Sequence, residues 1–377
     1  LWQPLAMATV LDEEWAILSS LLPDAWRELA RETGAIRRVR GSIDGPETLL
    51  QLLLLHVAGG LSLKQAVARA QVQGLATVSD VALLKRLRTS EPWLREMARR
   101  MFEASRFVRP TGVPAGRRLR AVDATTVQEP GATGTDWRVH YCVSLSDLHC
   151  DFFAVTDARE VETYTRVPVE RGDILLGDRG YCHREGVAHV IGLGGDVVVR
   201  LHSTNFPLLT PGGGSPFDLL PQLRKLGTGA VGDWPICFRA AGQLWDARVC
   251  AVRKSVMAAE SAKKKLLAAA SRRQSGAVRE TTLEFAEYIF ILVTIPRTDI
   301  GAREALDLYR ARWQVELCFK RLKSLLRLGH LPKKTDPSSR AWIQGKLLTA
   351  LLIEALADRA RFFSPWGFDL AATQPVA

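Results

Sequence analysis

Between residues 119 and 177 four apolar runs follow one another: "LRAVDATTV", "WRVHYCVSLS", "CDFFAVTDA" and "DILLG". The first three are short and rich in β-branched or aromatic residues, which predicts strands rather than helices. They are consecutive and predict an antiparallel meander. The fourth is a short apolar run, the pattern of a strand covered on both faces. A sheet covered on both faces needs helices to cover it. "HREGVAHVIGLG" has a helical pattern and precedes another strand-like run, "DVVVRLH". These runs predict an α/β fold with a mixed sheet at its centre.

The flanking sequence sets the organisation. Residues 1–108 read as a helical N-terminal domain, with apolar residues spaced three and four apart in "DEEWAILSSLL", "GPETLLQLLLLHVA" and "SLKQAVARAQ". Ser62 and Ser79 stand where N-caps are expected. The two helices they open resemble a helix-turn-helix whose second member, Asp80 to Arg88, carries Lys85, Arg86 and Arg88. A helical bundle with a basic solvated face fits the same pattern. A Pro/Gly-rich linker, "RPTGVPAGRR", leads into the first part of the core, 117–202. Residues 203–287 read as a mostly β insertion. It holds the hairpin "WPICFRAAGQLWDARVCAVRKS" and a basic helix or loop, "SAKKKLLAAASRRQSG". The core resumes over 288–365 with the strand "YIFILVTIP", a long helix and a second helix, and 366–377 form a tail.

Composition excludes several classes. The chain has 377 residues, 47% of them hydrophobic, and a net charge of +11. This is a folded protein whose excess charge favours a polyanion, nucleic acid above all, although a basic enzyme without such a partner has the same balance. Six cysteines form no CxxC pair, so a structural zinc is not expected, and scattered thiols suit a reducing cytoplasm. The longest apolar stretch, "LLQLLLLHVAGGLSL", is short and broken by His56 and two glycines. It reads as a buried helix rather than a membrane span. No signal peptide is expected, and Met7 is a candidate start.

Three carboxylates occupy informative places. Asp123 follows "LRAV", Asp178 follows "DILLG", and Glu316 lies on the late helix within "YRARWQVELCFKRLKSLLRLG" (309–329). Acids at strand ends, joined by one from a helix, can converge on one edge of a sheet, where open α/β folds gather ligands. Three carboxylates without a histidine suit hard cations such as Mg²⁺ or Mn²⁺, and a pair of such ions serves phosphoryl transfer. Taken singly, each aspartate also fits a turn and Glu316 a solvated helix position. At helical period, Tyr309, Arg312, Glu316, Lys320, Lys323 and Arg327 share one side; Val315, Cys318, Phe319, Leu322, Leu325 and Leu326 share the other. Ordinary i,i+4 ion pairs account for part of this strip. A phosphodiester substrate accounts for all of it, with Glu316 holding a metal and Arg312, Lys320 and Lys323 gripping phosphates.

Tyr309, Arg312, Glu316 and Lys323 form Y-x2-R-x3-E-x6-K. This resembles the Tyr-Arg-Glu-Lys signature of DDE transposases of the insertion-sequence-four group. "GDRGY" (177–181) and "AVDATTV" (121–127) resemble that group's two aspartate motifs, and its glutamate helix likewise follows a β-rich insertion. The resemblance covers roughly 117–365 and implies a ribonuclease-H-like core. It also implies Asp123, Asp178 and Glu316 as catalytic ligands of two Mg²⁺ (or Mn²⁺) ions. The implied reaction is cut-and-paste transposition. Water cleaves one strand, the freed 3′-hydroxyl attacks the opposite strand to give a hairpin, and the hairpin is reopened before the end is inserted into target DNA. Tyr309, Arg312, Lys320 and Lys323 are then expected at a phosphate near the hairpin end, with Trp313 and Arg200 beside it. Phe290 stands where some relatives have a stacking tryptophan, and Trp234 and Trp245 suit either stacking or hairpin packing. The implied partners are double-stranded DNA, as terminal inverted repeats and target, and a second copy of the chain. The implied place is the nucleoid of a bacterial cytoplasm. The chain ends soon after "FFSPWGFDLAATQPVA", where relatives often continue with helices that support dimerisation. An inactive remnant that binds its DNA ends sequence-specifically is the competing reading, and a nuclease without strand transfer is a third.

Overall fold

The computed structural model describes residues 14–37, 41–104, 116–129, 131, 137–146, 148–202, 205–272, 277–329, 331–332 and 336–361. The first residues to 13, most of the expected linker and the expected tail lie outside the described residues.

All the predicted strands fall in one sheet. The meander is β1 (Arg118–Val127), β2 (Trp137–Ser144) and β3 (Cys150–Asp157). Next come β4 (Asp173–Gly177) and β5 (Asp196–Arg200), then β6 (Val231–Ala240), β7 (Gln243–Arg253) and β8 (Tyr288–Val293). Their spatial order is β3-β2-β1-β4-β5-β8-β7-β6. β4 is parallel to β1 and to β5, and the other pairs are antiparallel. The insertion therefore does not hang beside the core: its hairpin β6–β7 extends the core sheet through β7–β8 pairing.

Side chains alternate across this sheet. Ala121, Leu176, Val198 and Ile291 enter one apolar cluster, while Val122, Leu175, Val199 and Leu292 enter another. The second face is covered by α6 (Arg184–Gly192) and by the insertion, whose Trp234 and Trp245 pack against that cluster. The insertion is less β-rich than its sequence predicts. Besides β6 and β7 it carries α7 (Leu219–Arg224), α8 (Val256–Arg272) and α9 (Glu280–Phe285).

The first face is shared with the N-terminal helices, α1 (Trp26–Glu32), α2 (Pro46–Val57), α3 (Leu63–Val72), α4 (Asp80–Thr89) and α5 (Glu91–Ala104). Ser62 and Ser79 cap α3 and α4 through their side-chain oxygens. The leucine-rich α2 is buried along Leu49, Leu50, Leu52 and Leu53. The last helix, α12 (Asp336–Arg361), packs against α2, α4 and α5, and a β-carbon at Gly345 would press on Val57. Part of α4's basic surface is used inside the protein. Arg88 bonds Ser338 of α12 at 3.0 Å and Arg86 bonds the Ala35 carbonyl at 3.4 Å, while Lys85 is exposed.

The end of the sheet remote from the carboxylates is tied by charge. Buried Arg120 bonds both Asp151 (2.7 Å) and Asp173 (3.0 Å), and Arg118 also bonds Asp173 (2.6 Å). Each buried ion has a partner, which is the condition for tolerating it.

Candidate active site

The β1–β4 register fixes the first two carboxylates. Leu119 pairs with Ile174 and Ala121 with Leu176, so continuing the ladder two steps sets Asp123 opposite Asp178. Adjacent strands stand about 5 Å apart. Asp123 is 16% exposed and accepts the Ala124 N–H at 2.8 Å. Asp178 opens the turn Arg179–Tyr181 and accepts the Gly180 N–H at 2.8 Å. Burial pushes the Asp123 carboxyl up to about 7; the Asp178 charge adds to this, and the Ala124 N–H and Arg312 oppose it.

The late helix differs from its prediction. It divides into α10 (Ala302–Arg310) and α11 (Trp313–Ser324). At the join, Ala311 and Arg312 donate to carbonyls three residues back, Leu308 and Tyr309, which is the tighter 3₁₀ spacing. This join brings Arg312 to β1, where its Nη1 lies 3.5 Å from Asp123 Oδ2 and its Nη2 bonds Glu316 Oε1. Arg312 also lies over the Tyr309 ring at 5.9 Å. Val315, Cys318, Phe319 and Leu322 face the core as predicted, but α11 stops at Ser324. Leu325 is therefore 78% exposed, and Arg327 leaves the helix with a positive φ of 52°. Lys320, Lys323 and Trp313 are exposed on α11.

A model of the transposase DDE domain matches residues 114–352. Curated relatives match at nearly full length. One is named as a transposase, InsL, for insertion sequence element IS186A of Escherichia coli strain K12. It is 36% identical over 363 residues, covering 94% of this chain and 96% of the relative. The transposase for insertion sequence element IS421 of Escherichia coli is 36% identical over 364 residues with the same coverage. The chain belongs to the DDE transposase family.

Family membership implies dependence on a divalent metal. The Asp123–Asp178 pair fits a cation: the register sets two carboxylates on adjacent strands, and burial, with the charge of Asp178 added to it, raises Asp123. Among the described residues, no three Asp, Glu, His or Cys side chains are gathered closely enough to hold one ion. Glu316 is 56% exposed and turned to Arg312, which links it to Asp123.

Other expected DDE-site residues fall into two groups. Continuing the β4–β5 register by one step, from Gly177 paired with Val199, sets Arg200 opposite Asp178. Arg200 lies over the Phe290 ring at 5.3 Å and donates to the Tyr288 carbonyl at 3.3 Å. Burial lowers its pKa to about 10; Tyr309 opposes this and Arg179 adds to it. Phe290 itself is buried, packed against Phe285 with centroids 5.5 Å apart. Trp313, Lys320 and Lys323 form the outer, exposed group.

Several neighbours escaped the sequence reading. Glu162 borders the Asp178 loop: a β-carbon at Gly180 would overlap its carboxylate, and one at Gly177 would overlap the Tyr164 hydroxyl. The two glycines of "GDRGY" thus mark a close approach, the one signal that pointed here. Burial raises the Glu162 pKa, and the Asp178 charge raises it further. Arg179 and Lys254 also lie at this edge, and neither belongs to a motif quoted above as DNA-binding.

Proposed function

We propose that this chain is the transposase of an insertion sequence, cutting its element from DNA and joining it elsewhere through a hairpin end. The observation that carries this reading is the register that sets Asp123 opposite Asp178, with Arg312 tying Glu316 to the same place. In this reading Asp123, Asp178 and Glu316 would hold two Mg²⁺ or Mn²⁺ ions. Such ions lower the pKa of an attacking oxygen and stabilise a leaving one. Glu316 reaches the pair once Arg312 turns from carboxylate to phosphate, a swap of anions that costs the guanidinium little.

The protein's own groups then act on the DNA. Tyr309, Arg312, Lys320 and Lys323 position the phosphates beside the scissile bond, and Trp313, exposed at the start of α11, offers a stacking surface for an unpaired base. Arg200 faces the hairpin, held in orientation by Phe290 beneath it. Water opens the first phosphodiester, releasing a 3′-hydroxyl. That hydroxyl attacks the opposite strand, closing the hairpin and releasing the flanking DNA; a second water reopens the hairpin, and the regenerated 3′-hydroxyl attacks a target phosphodiester. A homodimer on paired ends, with the N-terminal helices reading the terminal repeats, completes the proposed assembly. The proposed site of action is the nucleoid. No helix among the described residues is long and apolar enough to cross a membrane.

The Arg312–Glu316 pair, which leaves Glu316 apart from the two aspartates, suits the second reading, an end-binding remnant without cleavage. Incubation with a labelled end duplex, a target plasmid and Mg²⁺ separates the two. Nicked, hairpin and joined products are expected; stable binding without any product contradicts the proposal.

A further inference from the structure

The edge of the sheet that carries the carboxylates carries cations farther along. β1, β4, β5 and β7 all run in the same direction, since β8 is antiparallel to both β5 and β7. Their C-terminal ends therefore share one edge. Along it stand Asp123 on β1, Asp178 and Arg179 after β4, Arg200 at the end of β5 and Lys254 just after β7. The order is two acids, then three bases.

Two of the three bases are anchored by the backbone. Arg200 donates to the Tyr288 carbonyl at 3.3 Å and Lys254 to the Ala286 carbonyl at 2.6 Å, so their head groups anchor on one short stretch. Arg179 is exposed in the turn opened by Asp178. Arg200 and Lys254 are only partly exposed. Among the described residues, no carboxylate pairs with any of the three. Neighbouring cations of the insertion are paired: Arg253 and Lys263 with Glu287, and Arg224 with Glu284. Three like charges crowded at a half-buried edge repel one another, and a single carbonyl leaves most of their donors unused. Such an arrangement is stable when an anion completes it.

We propose that Arg179, Arg200 and Lys254 form a phosphate-binding site that grips the DNA strand leading away from the carboxylates toward the insertion. This rests on the transposase reading and extends it. With three strand spacings across the sheet and Lys254 four residues beyond the level of Asp178, the far end of the site lies about 20 Å from Asp178, room for about three successive phosphates. α8 begins two residues after Lys254, has no buried side chain, and exposes Lys264 and Lys265, so the same strand of DNA meets further positive charge on leaving the site. The site explains why the insertion is joined to the core sheet: only through β7–β8 pairing does Lys254 reach the edge that bears Asp178.

The test is DNA binding by the full chain in EDTA, so that no cleavage enters the measurement. A fluorescent end duplex is titrated at several salt concentrations with wild type, Arg179→Gln, Lys254→Gln, Lys254→Arg and Arg224→Gln. Arg179→Gln and Lys254→Gln are each expected to weaken binding about five- to tenfold and to reduce the salt slope by about one. Lys254→Arg should restore both, and Arg224→Gln should change neither. Duplex DNA, but not inorganic phosphate, should protect Lys254 from amine-directed labelling in the wild type. Wild-type binding with unchanged affinity and slope in Arg179→Gln and Lys254→Gln overturns the inference alone. So does protection by inorganic phosphate without protection by DNA. A wild type that does not bind DNA overturns the transposase reading as well. Arg179 is exposed, so its variant tests the site even where Lys254→Gln fails to fold.

Discussion

Asp123 should weaken the metal-free fold, and replacing it should reveal by how much. Its folded pKa is about 7 against an ordinary 3.8, because burial opposes its charge. A carboxyl raised in the folded state is best tolerated while protonated. Stability is therefore fully present below about pH 4, falls as pH rises from 4 to 7, and is level above 7. At about 1.4 kcal/mol per pH unit, the rise amounts to about 4 kcal/mol at pH 8 and under half of that at pH 5. Asp123→Asn keeps the shape and removes the charge. For a chain of this size the gain corresponds to about 5 °C in melting temperature at pH 8 and about 2 °C at pH 5, less whatever the lost Arg312 contact contributes. Thermal melts of both proteins in EDTA across pH 4 to 8 measure this. Added Mg²⁺ should narrow the gap at pH 8 by stabilising the wild type alone. A variant no more stable than the wild type at pH 8, or a gap that does not change with pH, refutes the reasoning.

Other outcomes follow from the same geometry. Asp178→Asn and Glu316→Gln should each lose cleavage to background while binding DNA ends nearly as well as the wild type. Equal loss of binding in filter or mobility assays contradicts a ligand role. Lys323→Ala should slow hairpin closure and strand transfer more than the first nick, as resolved on denaturing gels; equal slowing of all steps removes its special place. Gly180→Ala should cost no more than about 1 kcal/mol, because the Glu162 carboxylate that its methyl meets ends a side chain that can turn aside, and adding Glu162→Ala should remove that cost in urea unfolding. Simple additivity of the two substitutions rules out the contact.

Local signals carried most of the elements. The apolar runs around Asp123 and before Asp178 are strands, Ser62 and Ser79 cap helices, and the apolar side of the glutamate helix faces the core through Leu322. Non-local facts were out of reach. Periodicity has no term for a three-back hydrogen bond at Ala311 and Arg312, so one long helix was expected where two meet. Hairpin residues 231–253 read as an insertion because nothing local shows that Arg248 to Arg253 will pair with β8. Buried Arg248 helps fix that join, bonding Asp233 and the carbonyls of Ile295 and Ile300. Charge counting found a basic chain, but only the fold separates Arg224, paired with Glu284, from Lys254, which bonds a carbonyl and meets no carboxylate among the described residues. Glu162 carries no motif of its own, and its place became visible through the glycine that makes room for it.

The central claim is that Asp123, Asp178 and Glu316 act as one metal-dependent centre on DNA ends. Cleavage of the element's own end duplex by purified wild type, beside Glu316→Gln and with Mg²⁺ or EDTA, tests it most directly. The account predicts metal-dependent nicks and hairpins from the wild type alone. Specific binding without cleavage in either Mg²⁺ or Mn²⁺, or equal cleavage by Glu316→Gln, would contradict it.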